Sequence, residues 1–205
     1  MIGMRTLGAA AVLAFGLAGA ANASLPSYPN PGTENPNPVV FAAASDGDII
    51  AYFAGQDAGD TEDLGLLING VDTGLYGLQN HATVQGASFN FGHANAGDTL
   101  VFFIRDLSAG TTFYSDASMN TDHFNHAYTT AYAGGDFGIP AGSFVAFEDL
   151  NGGGDRDYND ETFVFANVRD VTGGVPEPAT WGLMLTGFGG MGALLRRRRA
   201  VAATA

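Results

Sequence analysis

Between residues 39 and 170 no stretch sustains an apolar repeat of 3.6 residues, so the body of this 205-residue chain has no amphipathic helix to build on. It has short apolar runs instead, broken by Gly, Asn and Asp. Eight of them have strand length, at 48–55, 64–70, 87–92, 99–106, 111–116, 126–134, 142–149 and 161–168. The chain's 30 Gly, 15 Phe and 7 Tyr suit strands joined by tight turns around an aromatic core. This pattern predicts an all-β fold, an antiparallel β-sandwich of jelly-roll type. Residues 100–104 (LVFFI) are apolar throughout, which predicts a central strand covered on both faces. Asn69-Gly70 is a hairpin turn signal.

Charge and composition narrow the function classes. The formal net charge is −13, and all eight basic residues are Arg. Residues 24–175 hold 20 acids against Arg105, Arg156 and Arg169, a net charge of −17. Such a surface repels phosphate, so nucleic acid is excluded as a partner, while cations are favoured. With no Cys there is no disulfide, no thiolate metal site and no Cys nucleophile. No G-x-S-x-G elbow occurs, and Gly152-Gly153-Gly154 leads into acids that would repel a nucleotide phosphate.

The two ends read as addresses. Arg5, an apolar run at 7–20 and Ala21-Asn22-Ala23 form a signal peptide over 1–23, cut after Ala23. This calls for the Sec translocon and signal peptidase as partners. Residues 24–44 are a Pro-rich lead-in, extended by Pro26, Pro29, Pro31, Pro36 and Pro38. The exported domain is expected over 45–172 and a C-terminal signal over 173–205. Within the latter, residues 178–195 carry no charge, which predicts a single transmembrane helix at about 179–195. Arg196, Arg197, Arg198 and Arg199 act as its cytoplasmic stop.

Val175-Pro176-Glu177-Pro178, the apolar span and the terminal Arg cluster together resemble the PEP-CTERM sorting signal of Gram-negative bacteria. The resemblance implies an inner-membrane-anchored precursor, processing near Pro176-Glu177-Pro178 by an exosortase-type membrane protease, and a final place at the cell surface or in an exopolysaccharide (biofilm) matrix.

The densest chemistry lies in "FEDLNGGGDRDYNDETF", residues 147–163. Asp155, Asp157 and Asn159 place oxygens at alternate positions, which converge when the loop curls. Asp160, Glu148 and Asp149 can complete a shell of the six to eight oxygens that calcium takes. The D-x-D-x-N start mimics an EF-hand loop, but Asp160 stands where that loop needs Gly and Ala166 where it needs Glu, so an EF-hand is rejected. The alternative is a solvated turn whose acids protect a sheet edge.

Residues 144–165 are also similar to the signature of a secreted bacterial family, the domain of unknown function 4114, as is the upstream segment "DHFNHAY" at 122–128. That resemblance implies a non-enzymatic domain with calcium at Glu148, Asp149, Asp155, Asp157, Asn159 and Asp160, and it leaves Glu161 without a role.

Weaker features read as structural. Asp57, Asp60, Glu62 and Asp63 suit a solvated loop, with a second cation site, or a place near the first in space, as the alternative. His123 and His126 lack the further ligands that zinc needs, although Asp122 and His123 could buttress the calcium site. Tyr52, Tyr76, Tyr114, Tyr128, Tyr132 and Tyr158 could stack on sugars or pack in the core. The expected protein is therefore a secreted, non-enzymatic surface or matrix component with a calcium loop. The alternative is a lectin or carbohydrate-active enzyme using the same acids on sugar.

Overall fold

The computed structural model describes residues 24–171. The signal peptide with Ala21 and Ala23, the processing motif Val175–Pro178, the span at about 179–195 and Arg196–Arg199 all lie outside the described residues. Among the described residues no helix is long and apolar enough to cross a membrane.

Eleven strands among the described residues form two antiparallel sheets. The first sheet runs β11 (Val168–Asp170), β1 (Phe41–Ala43), β6 (Thr99–Asp106), β3 (Glu62–Ile68), β4 (Val71–Gly77), with β7 (Thr111–Tyr114) also paired to β6. The second runs β5 (Ser88–Ala94), β2 (Gly47–Gln56), β10 (Glu161–Ala166), β9 (Gly142–Phe147), β8 (Ala127–Tyr132). The pairings β1–β11, β2–β10 and β3–β6 nest within one another, so the two ends of the domain meet in one sheet. Helical structure among the described residues is limited to two 3-10 turns, at Ala117–Met119 and Asp136–Gly138.

The core fills the space between the sheets because alternate residues of each strand face inward. Leu64 and Leu66 of β3 and Leu100, Phe102 and Ile104 of β6 meet Phe53 of β2, Val145 and Phe147 of β9, and Phe163 and Phe165 of β10. The Phe102 and Phe165 rings stack across the sheets with centroids 3.8 Å apart. The other face of β6 is also covered: Val101 and Phe103 pack with Leu67, Tyr76 and Tyr114. That is the two-sided central strand expected from LVFFI. The Asn69-Gly70 turn forms as expected between β3 and β4, with φ of 51° and 77°.

One strand departs from the expected alternation. A regular strand over 161–168 would put Val168 on the face of Val164, away from Phe163 and Phe165. Instead Asn167 adopts φ 62° and ends β10, and Val168 enters the first sheet and packs against the main core. The Asn167 side chain holds the switch by accepting from the Ser45 N–H at 2.9 Å and donating to the Ser45 carbonyl at 3.0 Å.

The Pro-rich segment packs on the outer face of the second sheet. Tyr28 and Leu25 join Phe124, Phe144, Ala146, Tyr158 and Val164 in a second apolar cluster. The segment thereby reaches the β9–β10 loop: the Gly32 N–H donates to the Arg156 carbonyl at 3.0 Å, and the Asn35 N–H to the Tyr158 hydroxyl at 2.9 Å.

Candidate metal centre

β9 and β10 pair with Glu161 opposite Phe147, so residues 148–160 must reverse the chain at the end of the second sheet. The sequence provides for a tight reversal. Gly152, Gly153 and Gly154 take φ of 76°, 76° and 43°, and Arg156 and Tyr158 follow at 61° and 53°. Left-handed backbone is cheap for glycine and costly for other residues, so the last two need support. Tyr158 has it. Its buried phenol donates to the Asn125 carbonyl at 2.7 Å and accepts from Asn35.

This curl turns the backbone N–H groups of Arg156 and Tyr158 onto the Glu148 carboxylate. It also brings Asp155 and Asp157 to the same point. Glu148, Asp155 and Asp157 each offer a carboxylate oxygen, and these oxygens lie within 4.8 Å of one another. Two ligands on opposite sides of a calcium ion, each at about 2.4 Å, are about 4.8 Å apart, so the three fit one ion. Asp157 Oδ1 is buried with no hydrogen-bond partner, while its Oδ2 accepts from the Asn159 amide at 2.7 Å. Burial pushes the Glu148 carboxyl up to about 7 despite the two N–H donors, with Asp155 and Asp157 adding to the rise. Burial and the Asp155 charge raise Asp157 as well.

The expected ligand set therefore divides. Glu148, Asp155 and Asp157 converge, and Asn159 braces Asp157 from the side. Asp149 and Asp160 are not among the three whose oxygens converge. The Asp149 N–H donates to Asp160 Oδ2 at 2.9 Å, and burial pushes Asp160 up to about 8. Both line an acidic cavity of about 370 Å³ together with Asp57, Asp60, Glu148 and Asp155.

The 55–65 stretch is thus not simply a solvated loop. Asp57 and Asp60 face this cavity, and the Asp57 N–H donates to the carbonyls of Asn159 and Asp160 at 3.1 and 3.2 Å. Asp63 pairs with Arg105 at 2.6 Å, and Glu62 is fully buried.

The His pair does not act together. His123 is exposed, whereas His126 is buried and bonds the Glu148 carbonyl at 2.9 Å and Asp122 Oδ2 at 3.1 Å. Asp122 also accepts from the N–H of Gly152 at 2.7 Å and of Phe124 at 3.0 Å. Burial works against the Asp122 charge, but these donors hold its carboxyl below the usual range. Asp122 and His126, not His123, are the buttress. The "DHFNHAY" segment carried that signal, with the wrong histidine singled out.

The chain matches the domain of unknown function DUF4114 over residues 58–167, more than half of its length, and belongs to that family. Residues 174–199 match the PEP-CTERM protein-sorting motif. That motif marks an exported protein of Gram-negative type, made as a membrane-anchored precursor and processed by an exosortase. No curated protein and no solved structure matches the chain.

Proposed function

We propose that this chain is a non-enzymatic, calcium-binding β-sandwich of the cell surface or exopolysaccharide matrix. The convergence of Glu148, Asp155 and Asp157 on one point carries the reading. Three carboxylates gathered this closely, one buried and one with an orphaned buried oxygen, repel one another until a cation enters. An all-carboxylate set suits calcium over zinc, which prefers His and Cys. The bound ion would tie the loop to β9 and offset part of the domain's negative charge. Calcium could further bridge the domain to an acidic polysaccharide, which is the class of partner proposed beside the exosortase-type protease and the Sec machinery.

The rival reading, a lectin or carbohydrate-active enzyme, calls for aromatic side chains or facing carboxylates along a cleft. The acidic cavity is lined by Asp57, Gly59, Asp60, Glu148, Asp149, Leu150, Gly154, Asp155 and Asp160, with no aromatic ring among them. Tyr132 and Tyr158 are buried, and Tyr52 and Tyr128 pack against the second apolar cluster.

Thermal unfolding of the full chain in EDTA, calcium or magnesium tests the proposal. Calcium at 100 times its Kd stabilises the folded state by about 2.7 kcal/mol, a rise of about 5–10 °C for a domain of this size. Magnesium should do much less, and Asp155→Ala with Asp157→Ala should abolish the loop site's share of the response. An unchanged midpoint in calcium would sink it.

A further inference from the structure

The Pro-rich strap at 24–38 touches the acidic loop at the two residues whose N–H groups hold the Glu148 carboxylate, Arg156 and Tyr158. The Gly32 N–H donates to the Arg156 carbonyl at 3.0 Å, which fixes the peptide plane leading into Asp157. The Asn35 N–H donates to the Tyr158 hydroxyl at 2.9 Å, and the Tyr28 ring lies against the Tyr158 ring with centroids 4.6 Å apart. Arg156 and Tyr158 both sit in left-handed backbone, at φ of 61° and 53°, which a residue with a Cβ keeps only when its surroundings support it. The strap supplies part of that support, from outside the loop.

The strap itself is lightly held. Of residues 24–38 only Tyr28 and Asn35 are buried, and none belongs to a strand. The Tyr28 hydroxyl is buried without a hydrogen-bond partner, which works against docking. The end nearest β1 is pinned: the Asn125 amide donates to the Asn35 and Asn37 carbonyls at 3.0 and 2.8 Å, and the Asn35 amide donates to the Ala127 carbonyl at 2.9 Å. Residues 24–34 have weaker ties. Leu25 donates its N–H to Asp136 Oδ2 at 2.8 Å, and Glu34 Oε1 accepts from the Asn125 N–H at 3.1 Å, both partly exposed. A segment with so few buried groups can lift from the outer face of the second sheet while the sandwich stays folded.

We propose that Tyr28 and Gly32 are positioning residues of the Glu148 centre, and that calcium controls whether their strap is docked. This rests on the calcium reading of Glu148, Asp155 and Asp157. Without a cation, repulsion among the three carboxylates opposes the curl that gathers them. The same curl presents the Arg156 carbonyl and the Tyr158 ring to the strap. A bound ion removes the repulsion and fixes both anchors in place. Coupling between two sites is reciprocal, so whatever calcium adds to strap docking, docking adds to calcium affinity. Calcium therefore clamps residues 24–34 onto the domain. Its withdrawal releases them and uncovers the outer apolar cluster in which Tyr28 sits.

Hydrogen exchange on the full chain reads the strap directly. Peptides from 24–34 should exchange about tenfold more slowly in calcium than in EDTA, while those from β3 and β6 stay protected in both. Asp155→Asn with Asp157→Asn should leave the strap at its EDTA rate when calcium is present. Tyr28→Ala keeps every carboxylate, yet calorimetric titration should show calcium affinity lowered about tenfold with the stoichiometry unchanged. Tyr28→Phe keeps the ring, loses only the unpartnered hydroxyl and should bind at least as tightly as the unaltered chain. Calcium binding with one strap exchange rate in calcium and EDTA, or with full affinity in Tyr28→Ala, would overturn the proposal and leave the loop centre standing. A chain that binds no calcium at all removes the loop centre, and the strap's control goes with it. Should Tyr28→Ala fail to fold, exchange in the unaltered chain decides.

Discussion

Tyr158 donates its backbone N–H to Glu148 while its phenol, on the outer face of the second sheet, bonds Asn125 and Asn35. One residue thus couples the carboxylate of the candidate metal centre to the Pro-rich strap. Tyr158→Phe removes the hydroxyl and leaves a buried carbonyl and N–H unpaired. The expected loss is about 2 kcal/mol of stability, read by chemical denaturation in EDTA. The calcium response should survive, because no carboxylate is removed.

Gly153 and Gly152 have the same φ, 76°, but different surroundings. A Cβ at Gly153 would sit 2.1 Å from the Phe124 ring, whereas one at Gly152 meets nothing within 4 Å. Gly152→Ala should cost only the left-handed backbone penalty, about 1–2 kcal/mol. Gly153→Ala adds overpacking of roughly 1–3 kcal/mol. Equal unfolding midpoints for the two variants would contradict the packing of Phe124 under the loop.

Asp122 holds the loop through the Gly152 N–H and holds His126 against the Glu148 carbonyl. Asp122→Asn keeps the shape but weakens these charge-assisted bonds. Calcium affinity is expected to fall by about tenfold, with stoichiometry unchanged, as measured by calorimetric titration. An unaltered affinity would show that the loop holds its geometry unaided.

With no cation bound, burial holds Glu62 up at about 9, Asp160 at about 8 and Glu148 at about 7. In the unfolded chain these groups titrate near their ordinary values of about 4. Between the two limits the folded state carries more protons, so stability falls as pH rises. It is greatest below about pH 4.5 with respect to these groups and is lost as pH passes through about 7 to 9. Midpoints in EDTA should decline from about pH 5 to about pH 9, and saturating calcium should flatten or reverse the slope. A midpoint in EDTA that climbs over this range would show that the carboxyls are solvated.

Much of this was legible in the strand patterns, and the failures have physical causes. All eight strand-length apolar runs form strands. The three strands that escaped notice are β1, only Phe41–Ala43, β11, only Val168–Asp170, and the edge strand β4, whose VDTGLYG lacks alternation. Asn69-Gly70 implies β4, because a hairpin turn needs a second arm. The centre was half visible. D-x-D spacing found Asp155 and Asp157, but Glu148 is selected among its neighbours by N–H groups that only a folded loop can aim. The full burial of Glu62 and Glu161 follows from extending the alternation of Leu64-Leu66 and Phe163-Phe165 one step outward, where each inward row ends on a carboxylate.

Because β1 and β11 pair, with Phe41 opposite Asp170, the domain presents the segment leading to its sorting signal at the rim of one sheet. Tension applied through the C-terminal tether would load β11 first. Three residue pairs would peel from β1 before the pull met Asn167 and its bonds to Ser45. Asn167 is then a mechanical stop placed ahead of β10, and it keeps a tug at the membrane from reaching the acidic loop at the strand's far end. Single-molecule pulling from the C-terminus should show a small early extension followed by one larger event. Asn167→Ala should merge the two.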